Sequence, residues 1–133
     1  MISYIKKRFI LSISFLIIGV ITYLLFDMNF LTKSNTLFSI IRDFAPDICW
    51  TLSFFFLSIY FTSKLTKNDL IINSLYVFSI AILYELLQCY HIVKGTFDIV
   101  DIFIYIISII IACLFEQYIR RKEKWKKEKI YYF

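Results

Sequence analysis

Four stretches of this chain are long and apolar enough to demand a bilayer. Residues 9–26 hold eighteen side chains without a charge, and residues 70–84 and 102–115 are equally charge-free. Residues 44–62 carry a single charge, Asp47, near their start. A helix needs about 20 mostly apolar residues to cross a hydrocarbon core of roughly 30 Å. Hydrophobic residues make up 60% of the chain, above the roughly 45–50% usual for soluble domains. Two glycines and one proline leave few helix breakers. The expectation is an all-α, four-helix transmembrane bundle with helices over about 9–26, 44–62, 70–90 and 98–118. These form one membrane domain, 1–118, followed by a basic tail, 119–133.

The first apolar run lies behind Lys6, Lys7 and Arg8. It is too long for the ~7–15-residue core of a signal peptide, and Asp27-Met28-Asn29-Phe30 offers no small-residue cleavage site. A retained helix is expected, with Ser12, Gly19 and Thr22 on a face suited to close helix contact. Residues 27–43 then form the longest connection. Within it, 37–42 is a short amphipathic piece that lies in the interface or folds back over the bundle. Asp43 is expected to cap the second helix, where Pro46 is tolerable in the first turn. Asn68 or Asp69 caps the third, and Asp98 the fourth.

Lysine and arginine set the orientation. The N-terminus, the loop at 63–69 and the tail hold three, two and seven, twelve in all, against three (Lys33, Arg42 and Lys94) on the other side. Both termini are therefore expected in the cytoplasm. The net charge of +5 sits beside membrane segments, so nucleic acid is not an expected partner. In the tail, Arg120, Arg121, Lys122, Lys124, Lys126, Lys127 and Lys129 suit the anionic inner leaflet, at roughly 1 kcal/mol each. Trp125 and the final aromatic residues suit the headgroup layer, as does Trp50 at the start of the second helix. Cys49, Cys89 and Cys113 read as thiols within apolar runs, with a Cys49–Cys89 pairing left open.

Polar residues inside the spans are the candidates for function. Glu85 stands fifteen residues past Leu70, roughly 22 Å along a helix. It caps nothing, and an ionisable group in a membrane span is a functional candidate by default. Gln88 follows at i+3 on nearly the same face. Asp101 stands one turn into the fourth helix and Asp47 one turn into the second, so three acids reach similar depth and should turn inward. On the fourth helix Asp101, Tyr105, Ser108 and Ala112 make a small and polar stripe. On the third, Ser74, Ala81, Glu85 and Gln88 make another, and the two are expected to meet across the turn of Lys94, Gly95 and Thr96. Simpler roles stand beside these: Asp98 as a cap, Gly95 as a turn glycine, His91 as an interface side chain. Arg42, Lys94 or His91 is available to pair with Glu85.

The pattern Glu85-x-x-Gln88, a turn, then Gly95-Thr96-Phe97-Asp98-x-x-Asp101 resembles the VanZ-like family of small bacterial membrane proteins. Pro46-Asp47-Ile48-Cys49-Trp50 is similar to a Pro-Asp-x-x-Trp pattern at a helix start in such proteins. The likeness runs from about Arg42 to Phe115. It implies a role in the envelope of a bacterium, in the cytoplasmic membrane, and the family's name comes from a protein linked to low-level resistance to the glycopeptide teicoplanin.

Three functions follow. In the first, a non-enzymatic envelope protein presents an outward pocket of Asp47, Glu85, Gln88, His91, Asp98 and Asp101 to a lipid headgroup, a lipid-linked cell-wall precursor or a partner helix. In the second, an enzyme acts on lipid-linked substrates at the outer leaflet, with Glu85 as general base and Asp47 and Asp101 on a divalent ion. In the third, a carrier works as a homo-oligomer, ranked last because the inner halves of the helices show no charge. No Ser-His-Asp order, HExxH motif, phosphate loop or His/Cys cluster occurs, so no cofactor or resident metal is expected. Membrane lipids are the expected surroundings. Fusion of a periplasm-dependent reporter tests the orientation: activity is expected when it is inserted after Lys94 and none when it is fused to the C-terminus, and the reverse pattern overturns it.

Overall fold

A computed structural model describes residues 2–27, 36–62, 66–93 and 95–130, with side chains over 5–25, 43–62, 66–93 and 95–122. It contains α1 (Ile2–Asp27), α2 (Thr36–Phe61), α3 (Lys67–Cys89) and α4 (Ile99–Ile130). Each holds a span long and apolar enough to cross a membrane: Ile5–Leu25, Asp43–Phe61, Lys67–Cys89 and Ile99–Lys122. The chain is thus an all-α, four-helix, multi-pass membrane protein.

Two helices begin well before the expected points. α1 continues through the basic residues to Ile2. α2 starts at Thr36 and runs through Pro46 without a break, so Asp43 lies inside a helix and caps nothing. The proline removes one i→i−4 hydrogen bond, a loss that a membrane helix absorbs where neighbours pack closely. α1 packs on α2 there: a Cβ added at Gly19 would lie 3.8 Å from the Pro46 carbonyl oxygen. α4 likewise passes the expected end at 118 and carries its basic residues to Ile130, in a run of Lys, Arg and Glu that favours helix. At α3 the cap is Thr66 and not Asn68 or Asp69. The Thr66 hydroxyl accepts the Asp69 N–H at 3.2 Å while the Asp69 carboxylate accepts the Thr66 N–H at 2.6 Å, a reciprocal capping box.

α2 is the hub, antiparallel to α1 and α3 and in contact with all three other helices. α1 lies tightest against it. Ser12 Oγ donates to the Ser53 carbonyl at 3.0 Å, and Ser53 Oγ donates back to the Ser12 carbonyl at 2.9 Å. Gly19 sits so near Cys49 that a Cβ would meet that side chain at 3.0 Å. Small residues let two membrane helices approach closely where no hydrophobic force drives them together. Thr22 bonds back to carbonyls of its own helix at Ile18 and Gly19. The core centres on α2: Leu52, Phe55, Phe56 and Ile59 are buried with Val77 of α3 and Ala112 of α4. The small stripe of α4 therefore packs mainly on α2, while its contact with α3 is thinner than expected.

Two ends can be distinguished. The turn end holds the α3–α4 connection, and the tail end holds the start of α1 and the far part of α4. At the tail end Arg8 Nη2 contacts Glu116 Oε1 at 2.5 Å, Arg8 also donates to the Ile59 carbonyl at 3.4 Å, and Arg120 Nε reaches Glu116 Oε1 at 3.3 Å. Arg8 and Glu116 are both buried. This corrects the expectation that the inner halves of the helices carry no charge. It also ties α1 to α4, two helices without close backbone approach among the described residues. Removing one member of a buried pair strands the other, at a cost of about 3–5 kcal/mol. Glu116→Ala is expected to destabilise by that amount in thermal unfolding of the purified protein in mild detergent, and the double variant R8M/E116L to recover most of the loss.

Candidate functional site

The turn end begins with the way α3 stops. Tyr90 is the last cap residue, and His91 takes a left-handed φ of 57°. The His91 N–H bonds to the Gln88 carbonyl at 2.9 Å and the Ile92 N–H to the Leu87 carbonyl at 2.9 Å. This pair of bonds is a Schellman ending with histidine in the place glycine usually takes. His91 is exposed, as is Thr96, and neither lines the cavity described below. Gly95 follows with φ of +144°, and a Cβ there would fall 2.5 Å from the Gln88 amide nitrogen. Only glycine permits both that conformation and the seating of Gln88 over the backbone. Asp98 then caps α4, accepting the Val100 N–H at 2.9 Å. Its side chain is exposed and serves the helix, outside the cavity wall, though its charge still acts on Asp101.

Below this turn lies a cavity of about 710 Å³. α2 contributes Asp43, Pro46, Asp47, Trp50, Thr51 and Phe54, which follow one helical stripe. α3 contributes Val77, Ile80, Ala81, Tyr84 and Gln88, another stripe. Tyr23 of α1, Tyr105 of α4 and Gly95 complete the wall. Along α3 the lining extends from Gln88 to Val77, about 16 Å of helix. Its character changes over that length, from carboxylates and amide at the turn to Phe54, Val77, Ile80 and Ala81 below. α1 and α3 both line it without close backbone approach to each other among the described residues.

Glu85 stands behind this lining, 1% exposed. Its Oε1 accepts the Tyr105 hydroxyl at 2.8 Å, a bond that joins α3 to α4. Its Oε2 is buried and has no hydrogen-bond partner among the described residues. Asp47 interacts electrostatically with Asp101 and Glu85, and Asp101 in turn with Glu85, Asp98 and Asp43. Asp47 and Asp101 are half-buried. Three acids from three helices thus share one region, with the Tyr105 hydroxyl among them. No group of three His, Cys, Asp or Glu side chains placed to hold a metal occurs among the described residues.

Trp50, expected as an interface anchor, lines the cavity and stacks on Phe54 with centroids 6.0 Å apart. Cys49 is buried against Gly19 and Cys89 is exposed, both as free thiols. Ser74 on α3 meets Cys113 on α4 at 3.3 Å. In the tail, Arg121 and Lys122 are exposed and the Lys122 ammonium lies 5.5 Å from the centre of the Tyr118 ring. The side chains of Arg42, Lys94, Lys124, Trp125, Lys126, Lys127 and Lys129, and residues 131–133, lie outside the described residues.

Sequence reasoning missed Tyr23, Asp43, Thr51, Phe54 and Tyr84. A signal for most of them exists: extending the Asp47 face by turns in both directions gives Asp43, Thr51 and Phe54, and extending the Gln88 face gives Tyr84. Compared with protein-family models, curated proteins and solved structures, the chain matches none. Removing the hydroxyl that donates to Glu85 leaves a buried carboxylate without that donor, at about 1–3 kcal/mol. Tyr105→Phe is expected to lower stability by that amount in mild detergent, and Tyr105→Phe combined with Glu85→Met to be more stable than Tyr105→Phe alone.

Proposed function

We propose that this chain is a non-enzymatic protein of the bacterial cytoplasmic membrane whose cavity holds one amphiphilic molecule of the envelope. The reading places both termini in the cytoplasm and the turn end in the outer leaflet, following the distribution of lysine and arginine. It agrees with the resemblance to the VanZ-like family carried by Glu85, Gln88, Gly95, Asp98 and Asp101. One observation carries it: the cavity grades along its length from acids and amide at the turn end to hydrocarbon beneath. Such a gradient suits a molecule with a polar head near the headgroup layer and an apolar chain below it. Ligand pockets commonly pair an apolar lining with a few placed polar groups.

The absence of close backbone approach between α1 and α3 among the described residues supports entry on that side, from the bilayer itself. The candidate ligands are those expected from the sequence, a lipid or a lipid-linked cell-wall precursor. Alanine at Asp47, Glu85 or Gln88 is expected to abolish the chain's effect on glycopeptide susceptibility or envelope stress in its host, with the membrane level of the protein unchanged by immunoblot. A full phenotype in all three variants overturns the reading.

A further inference from the structure

The lining of the cavity says what kind of head it takes. Asp47, Glu85 and Asp101 lie close enough to repel one another when ionised. In a desolvated site such repulsion is relieved by a positive charge and worsened by a negative one. Glu85 adds a buried oxygen, Oε2, that nothing among the described residues satisfies. Glu85 stands between Ala81 and Gln88 on α3, both of which line the cavity, and its partner Tyr105 lines it too. Five aromatic side chains, Tyr23, Trp50, Phe54, Tyr84 and Tyr105, make up much of the remaining wall. Aromatic faces attract cations, and cages of such rings recognise quaternary ammonium groups. The described lining contains no lysine, arginine or histidine. Asp47, which lines the wall, would therefore repel a phosphate head and attract an ammonium one. The space is also far larger than a bare inorganic ion needs.

We propose that the cavity takes an organic cation with an apolar chain. Its amine or quaternary ammonium head sits by Asp47 among the aromatic rings, with Glu85 and Asp101 behind that wall, and its chain runs down against Phe54, Val77, Ile80 and Ala81. This rests on the reading of the cavity as an amphiphile site and narrows the ligand to one charge.

The test uses full-length protein in lipid nanodiscs. Tryptophan occurs only at positions 50 and 125. A W125F background leaves Trp50, in the cavity wall, as the reporter. Dodecyltrimethylammonium, dodecanol and dodecyl phosphate are titrated against it, with empty nanodiscs correcting for partition into lipid. The ammonium probe is expected to shift Trp50 emission saturably and to bind about tenfold or more tighter than dodecanol. Dodecyl phosphate is expected to bind more weakly than either. D47N and E85Q are each expected to weaken the ammonium probe about tenfold and to leave dodecanol unchanged. Equal affinity for ammonium and alcohol, or tighter binding of the phosphate, overturns the cationic assignment and leaves the amphiphile site standing. No saturable shift with any probe overturns both. The comparison among probes on the unsubstituted cavity decides the matter even if a carboxylate variant fails to fold.

Discussion

A bilayer offers a polar side chain no hydrogen-bond partner, so every such group in a spanning helix must find one inside the protein. That constraint arranges this bundle. Its polar groups collect in two layers, one of acids and Tyr105 at the turn end and one of Arg8, Glu116 and Arg120 at the tail end. Glu116 lies fifteen residues beyond Asp101, so the layers stand roughly 22 Å apart along α4. Between them the core is dry and aromatic. Phe56 stacks on Phe15 at 6.0 Å and meets Phe55 and Phe115 edge-on. The tail-end layer contains both signs of charge, with Arg8 and Arg120 both on Glu116 Oε1. The turn-end layer contains described acids alone and includes an oxygen with no described partner. Buried side-chain atoms without a described hydrogen-bond partner occur in both layers, Glu85 Oε2 in one and Arg120 Nη2 in the other, so what sets the turn-end layer apart is the cavity beside it.

Packing explains why a cavity forms beside the acids and not elsewhere. α1 and α2 are held by Ser12, Gly19, Cys49 and Ser53, whose small size brings the two backbones together along much of their length. α3 has no such seam. It meets α4 through the Glu85–Tyr105 bond and the Ser74–Cys113 contact, and α2 through Val77 and the Thr62–Asn73 pair at the tail end. These contacts hold α3 at separated points, and at the turn end the space left between them is lined by larger side chains from all four helices. Glu85 braces two helices through one oxygen, while the other has no hydrogen-bond partner among the described residues.

The number of helices and the inward turn of Asp47, Glu85 and Asp101 were legible because length and charge alone decide them in a membrane chain. Helix starts were less legible. Pro46 resembled a first-turn proline, and nothing local distinguishes that from a proline inside a helix supported by a neighbour at Gly19. The Arg8–Glu116 pair was hidden for a related reason. Arg8 belongs to a basic cluster that reads as a topology signal, and Glu116 stands next to a tail full of lysine. Yet Glu116 continues the stripe of Tyr105, Ser108 and Ala112 by one more turn, and Arg120 follows it at i+4. The pattern stood in the sequence; the partner on α1 is more than a hundred residues away and only the fold brings it near. Asp98 and His91 show the opposite case. Both look like site residues by proximity in sequence, and both are spent on ending and starting helices.

The dry middle bears on what the turn-end cavity can do. A conduit needs polar groups spaced so that an ion is handed from one to the next. Here the described side chains between the layers include hydroxyls engaged locally: Ser108 donates to the carbonyl of Ile104 on its own helix, Ser74 to that of Leu70, and Ser12 and Ser53 donate to each other's backbones. Phe55, Phe56 and Ile59, all fully buried, fill the path toward Arg8. A charge leaving the acids toward the tail end would cross this hydrocarbon unaccompanied, and that cost is what membrane proteins build polar routes to avoid. The buried rings therefore separate the cavity from the charges at the tail end.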